Sequence, residues 1–153
     1  IDSMGMDSIL IAATNHPELL DKAVWRRFVQ TVEVGLPSKE SISEMIELFS
    51  KPFDCELNHD QQKKNVFIDS ISALSPSDIK TIFDRTKVKT VIEGNKEITI
   101  DKLLTAVYEI TSNDKNEEAY VKFLSEHGMS QTAINQHTGI SLRRVKAYLS
   151  VSK

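Results

Sequence analysis

At Pro37 the spacing of apolar residues changes, and that change limits the folds open to the chain. Before Pro37 they come in a short run and an alternation; after it they return every three or four positions. Ser8 to Thr14, SILIAAT, is a continuous apolar run closed by Asn15-His16-Pro17. A strand buried on both faces of a parallel sheet has this pattern. A short helical piece, ELLDKAVWRRF, follows Pro17, and Val29 to Leu36 alternates as a second strand before Gly35 and Pro37. Strand, helix, strand is an α/β unit, and two strands do not make a stable sheet alone. The chain begins without Met and enters the first strand directly, so it reads as a piece of something longer. Without those partner strands, residues 1–36 are expected to be partly disordered or self-associated.

From Ser38 onward the pattern is helical. Ser38 is an N-cap for KESISEMIELFS, which sets Ile42, Met45, Ile46 and Phe49 on one face and stops at Pro52. The polar stretch CELNHDQQKK leads into NVFIDSISAL. Ser75-Pro76 opens the next helix, with Ser75 as N-cap, Pro76 at its first position and Asp78 in its first turn. That helix ends at Gly94-Asn95, and Thr99 or Asp101 caps KLLTAVYEIT. A polar linker, SNDKNE, precedes three short helical units, EEAYVKFLSEH, SQTAINQHT and SLRRVKAYLSV, punctuated by Gly128-Met129 and Gly139-Ile140.

Composition removes several classes of function. With 153 residues, 40% hydrophobic and 27% charged, the chain is neither collagen-like nor disordered in bulk. The longest apolar run, Ile9 to Ala13, falls far short of the roughly 20 residues of a membrane helix. Cys55 is the only cysteine, which excludes an internal disulfide and a four-cysteine zinc site and suits a cytoplasmic setting. Net charge is −3, so any nucleic-acid contact must be local. The four histidines, His16, His59, His127 and His137, lack metal-ligand spacing, and no Ser/His/Asp nucleophile can be argued from order alone.

Two places carry chemistry. Asn15 ends the first expected strand, where α/β sheets place ligand contacts. Arg26-Arg27-Phe28 precedes the second. Read singly, Asn15 is a turn residue before Pro17 and the arginines are a solvated helix end. Read together, Ala12, Ala13, Thr14, Asn15, Pro17, Leu20, Asp21, Arg26, Arg27 and Phe28 resemble a fingerprint of the AAA-family ATPases. The resemblance implies that Asn15 is the sensor-1 residue, orienting the attacking water. It implies that Arg26 and Arg27 are arginine fingers acting on ATP in a neighbouring subunit. His16 and Trp25 stand where other members vary, and neither is given a catalytic role.

Residues 38–112 resemble the helical lid of that family, whose marker here reads Ser75-Pro76-Ser77-Asp78-Ile79. The resemblance places Pro76 and Ser77 against adenine and ribose. Helix capping alone also accounts for them. Lys80 is either a phosphate contact in a closed state or a solvated lysine. The resemblance further implies ATP and Mg²⁺ as cofactors of the parent, other subunits of a homo-oligomeric ring, a hexamer, as partners, and a protein or nucleic-acid substrate. GxxxxGK[ST] and an apolar run ending in Asp-Glu are absent from the 153 residues. The chain alone is therefore expected neither to hold ATP tightly nor to hydrolyse it.

Gln131 to Leu149 has helix-turn-helix spacing, with Gly139 at the turn and Ile134, Ile140, Val145 and Tyr148 apolar. Asn135 stands where a small Ala is preferred. The second helix carries Arg143, Arg144 and Lys146 and no acid, as nucleic-acid phosphate contacts require. The same spacing serves a trihelical protein-contact domain equally well. The expected architecture is mainly α with a small α/β remnant. It comprises the last two strands of a P-loop-type core (1–37), a four-helix lid (38–112) and a trihelical, helix-turn-helix-like C-terminal domain (113–153).

Overall fold

The computed structural model describes residues 9–114 and 116–150. Ser8, in the first expected strand, and Val151, at the end of the last expected helix, lie outside the described residues. The chain divides into two compact units, 1–35 and 36–153.

In the first unit, Pro17–Leu19 forms a single 3₁₀ turn and Lys22–Trp25 a one-turn helix, α1. Asp21 caps α1, its carboxylate accepting from the Ala23 N–H at 2.8 Å. Both strands expected here are corrected: no described residue of 9–14 or 29–36 is in a strand. A strand is held by hydrogen bonds to a neighbouring strand, and none pairs with these segments among the described residues. Their side chains are uncovered, Ile9 being 89% and Val34 86% exposed.

The second unit is helical. Its elements are α2 (Lys39–Ser50), α3 (Gln61–Ile71), α4 (Pro76–Ile92), α5 (Ile100–Thr111), α6 (Glu117–Glu126), α7 (Gln131–Thr138) and α8 (Leu142–Ser150). Several starts have a local cause. The Ser38 hydroxyl accepts from the Ser41 N–H at 3.2 Å, and the Ser130 hydroxyl from the Ala133 N–H at 3.2 Å. Asn116 caps α6 through the Ala119 N–H at 2.7 Å. Asp60 accepts from the Gln62 and Lys63 N–H groups, both at 3.0 Å, so α3 starts before the apolar residues that mark it in the sequence. Thr99 stands at the N-cap of α5 without a side-chain cap. Gly139 ends α7 at φ 73°, a left-handed conformation that glycine adopts without a Cβ clash.

Between α2 and α5 lies a two-residue parallel pair, β1 (Asp54–Cys55) with β2 (Glu97–Ile98), in the register Asp54↔Glu97 and Cys55↔Ile98. Two residues per strand leave no alternation to read, which is why the sequence does not disclose them. The pair ties the segment after α2 to the turn after α4, and Cys55 and Ile98 point into the core.

One hydrophobic cluster runs through the unit. Ile42 and Ile46 of α2 meet Phe67 and Ile71 of α3, Ile79, Ile82 and Phe83 of α4, and Leu103 and Leu104 of α5. Phe83 packs edge-on against Phe67, ring centroids 6.1 Å apart, and lies 6.3 Å from Phe49. The same cluster takes in Val121 and Leu124 of α6, Ile134 of α7 and Val145 of α8. Among the described residues, no helix is long and apolar enough to cross a membrane.

Candidate functional site

In the first unit, α1 is the scaffold. Asp21 starts it, and it ends at once in Arg26, whose N–H donates to the Lys22 and Val24 carbonyls. The Arg27 and Phe28 N–H groups donate to Val24 and Trp25 carbonyls at 3.1 and 3.2 Å. The chain therefore keeps turning past α1, and both guanidinium side chains are exposed. Asn15 is exposed as well, in the turn that precedes Pro17. Its neighbours hold that turn: the His16 N–H donates to the Thr14 hydroxyl at 3.0 Å, and the His16 ring meets Glu18 at 3.1 Å. The turn role of Asn15 and the helix-end role of Arg26 are thus visible locally.

Pro76 and Ser77 occupy the first turn of α4. Ser75 and Asp78 close a reciprocal cap: the Asp78 N–H donates to the Ser75 hydroxyl at 3.2 Å, and the Ser75 N–H to the Asp78 carboxylate at 3.3 Å. The Ser75 hydroxyl also donates to that carboxylate at 2.6 Å. Pro76 is half-buried at the position where its missing N–H costs nothing, and Ser77 is exposed. Lys80 is paired with Asp84 one turn on.

On α8, Arg143 and Lys146 are exposed. Arg144 is committed. Its guanidinium is 2.9 Å from Glu117 at the start of α6 and 3.1 Å from the Tyr148 hydroxyl, and it lies over the Tyr148 ring. The Tyr148 hydroxyl and the Glu117 charge raise its pKa. Asn135, odd in the sequence pattern, has a structural use: its side-chain amide donates to the Ile140 carbonyl at 2.7 Å, bridging the turn between α7 and α8.

Sequence order did not reveal a half-buried polar cluster on α5, α6 and α7. His137 Nδ1 lies 2.6 Å from the Asp101 carboxylate, and its Nε2 lies 2.7 Å from the Thr105 hydroxyl. Thr105 also meets the Tyr120 hydroxyl at 2.6 Å and the Asp101 carbonyl at 2.8 Å. Burial opposes ionisation of Asp101, yet the hydrogen bond from His137 and the His137 charge hold its carboxyl well below the usual range. Burial pushes the Tyr120 hydroxyl up against the opposing bond to Thr105. Asp101 and His137 border a cavity of about 840 Å³, reached by residues of α3, α4, α5 and the α6–α7 turn; Pro76 and Ser77 do not line it. The signal in sequence was only an Asp and a His on separate helices, with nothing to say that those helices meet.

No GxxxxGK[ST] sequence occurs among the 153 residues.

No family model matches the chain, and no solved structure matches it. Curated relatives do. It is 25% identical over 146 residues to the ATP-dependent zinc metalloprotease FtsH of Ruminiclostridium cellulolyticum, covering 89% of this chain and 22% of that protein. It is 25% identical over 134 residues to the proteasome-activating nucleotidase of Methanococcus vannielii, covering 83% of this chain and 31% of the relative. A shorter stretch of 47 residues is 43% identical to the cell division cycle protein 48 homolog of Archaeoglobus fulgidus, 29% of this chain and 6% of that one. The chain spans less than a third of the length of these relatives. Together, these similarities identify it as a relative of the AAA-family ATPases.

Proposed function

We propose that the chain contributes the trans-acting and lid parts of an ATP-hydrolysing ring, the whole protein coupling hydrolysis to the remodelling of a protein or nucleic-acid substrate. The observation that carries this reading is the fingerprint from Ala12 to Phe28, with both arginines exposed just beyond α1. ATP, with Mg²⁺, supplies the phosphoryl group and the free energy. Arg26 and Arg27 place positive charge beside the γ-phosphate held by a neighbouring subunit. Guanidinium groups suit this task because they stay charged and present a planar fork of donors to phosphate oxygens. Asn15 orients the attacking water as sensor 1. Residues 38–112 act as the lid, with Pro76 and Ser77 against adenine and ribose, and residues 113–153 form a C-terminal domain that moves with it. Because the arginines serve the next subunit, activity requires assembly, as in a hexameric ring.

The test is ATPase activity of the full-length parent against protein concentration, wild type beside Arg26→Ala/Arg27→Ala. Activity should rise with assembly and fall by a factor on the order of 10³ or more in the double variant, with ATP binding retained. An unchanged rate would reduce the fingerprint to a structural motif.

A second reading rests on α8, where Arg143 and Lys146 are exposed on one short helix that carries no acid. In it, α7 and α8 form a helix-turn-helix that binds DNA, or docks a protein partner. Arg144, held by Glu117, positions α8 instead of contacting phosphate. DNA binding that weakens with salt and is lost in Arg143→Ala/Lys146→Ala would support the DNA form of this reading. Binding retained in that variant would remove it.

A further inference from the structure

Two helices of the second unit carry opposite charge at the same spacing. On α4, Arg85, Val88, Lys89 and Ile92 stand at positions i, i+3, i+4 and i+7, which sets them along one face. All four are exposed, Val88 by 60% and Ile92 by 79%. On α2, Glu40, Ser43, Glu44 and Glu47 repeat those intervals. The three carboxylates are exposed and Ser43 is half-buried. Glu40 and Glu44 border a groove of about 620 Å³ between α2 and α3, which the buried Ile68 also lines.

Neither face is neutralised within the chain. On α4, Asp84 is paired with Lys80 and Lys87, and Glu93 with Lys102 at 2.9 Å. Among the described residues, Arg85 and Lys89 are left without an ion pair. At α2, Lys39 is taken by Asp69 at 2.6 Å and Glu47 by Lys64 at 3.0 Å. Among the described residues, Glu40 and Glu44 likewise have no ion pair. Two free cations one helical turn apart therefore match two free carboxylates one turn apart, each pair spanning about 6 Å along its helix.

We propose that the exposed face of α4 docks a second copy of this chain, Arg85 and Lys89 of one copy meeting Glu40 and Glu44 of the other while Val88 and Ile92 enter its α2–α3 groove. Helices packed nearly side by side bring both charge pairs into register at once. Covering Val88 and Ile92 supplies the apolar part of the contact, and the charges fix its register and exclude like-charged partners. A second copy is favoured over an unrelated acidic protein because the complementary face, at the matching spacing, lies on the same chain. One helix against a two-helix groove is smaller than a standard interface, so the association is of the weak, reversible class. The contact uses no residue of 9–36 and stands independently of the ATPase reading.

Sedimentation velocity of the 153-residue chain, from about 10 μM to about 1 mM, tests the proposal. The weight-average sedimentation coefficient should rise with concentration, and rise less when salt goes from about 50 to about 500 mM, which screens exposed charge. Arg85→Glu/Lys89→Glu should weaken association by about tenfold or more, and so should Glu40→Lys/Glu44→Lys. An equimolar mixture of the two variants, their helix content checked by circular dichroism, should recover it, because opposite charges again face each other. A chain that stays monomeric throughout would overturn the proposal and leave the α4 face to another protein. Association that ignores both salt and the α4 reversal would overturn it too, as the behaviour expected of the exposed apolar residues in 9–36. Variants that remain monomeric when mixed would show that the contact does not run between α4 and α2, and would likewise overturn it. The salt result requires no variant to fold.

Discussion

Residues 9–35 and 36–150 are opposites. The first region carries the denser motif and no buried side chain among its described residues; the second carries weak motifs and one continuous core. Ile11 is 88% exposed in the first, whereas Phe67, Phe83 and Leu103 in the second are fully buried. The difference teaches that chemical identity and foldability are separately encoded. A fingerprint of ten residues suffices to resemble an ATPase family, but strand formation needs neighbours that hydrogen-bond to it. Helices satisfy their own backbone and can be packed from a single run of sequence, so the second region meets its requirements internally.

Substitutions can break this comparison or sharpen it. The largest expected effect belongs to the motif-rich region: loss of Arg26 and Arg27 should depress assembly-dependent ATPase activity of the parent by a factor on the order of 10³ or more. The same pair of changes should leave the urea unfolding midpoint of the 153-residue chain unmoved, since both side chains are exposed. If the midpoint falls as far as the rate, the two regions are not separable in this way.

Next comes the core. Phe83→Ala removes a ring packed against Phe67 and Phe49 and should cost about 3–5 kcal/mol in equilibrium unfolding. Ile11→Ala, a comparable loss of apolar bulk at an exposed position, should cost less than about 0.5 kcal/mol in the same experiment. Similar costs at the two sites would show that residues 9–14 are covered in solution.

Acid stability should also separate the regions. The Asp101 carboxyl lies below its unfolded value of about 3.9. Its contribution is therefore complete above that value and is lost as pH falls toward the folded one. The acid limb of unfolding, followed by circular dichroism, should flatten in Asp101→Asn. An unaltered acid limb would remove Asp101 from the groups that set it.

The smallest of these effects is a cap. Ser75→Ala deletes the acceptor for the Asp78 N–H and should cost about 1 kcal/mol. Ser77→Ala, one position inside the helix with an exposed side chain, should be close to neutral in stability. If Ser77→Ala nonetheless weakens nucleotide binding in the parent, measured by titration calorimetry, the lid reading of α4 gains support that capping cannot supply.

Most of the helical architecture was legible in the linear order of residues. Ser38, Ser75-Pro76 and Gly139 mark boundaries through interactions reaching only a few residues, so their meaning survives without knowledge of the fold. Spacing at Ile42 and Ile46 likewise told which face of α2 would be buried. The early start of α3 was missed because Asp60 and the polar Gln61–Lys64 turn extend the helix ahead of its apolar residues. The misplaced strands have a different cause: Ile9–Thr14 and Val29–Leu36 have strand composition, and composition does not create a hydrogen-bonding partner.

By itself, then, the sequence determined the family resemblance, most of the helix limits and the core face of α2, because each depends on side-chain type at short spacing. Tertiary structure alone decided that Asp54–Cys55 pairs with Glu97–Ile98, that Arg144 is spent on Glu117, and that Asp101, Thr105, Tyr120 and His137 converge. These are contacts between elements distant along the chain. Helix packing sets them, and a periodicity names the buried face of a helix without naming the residue across from it.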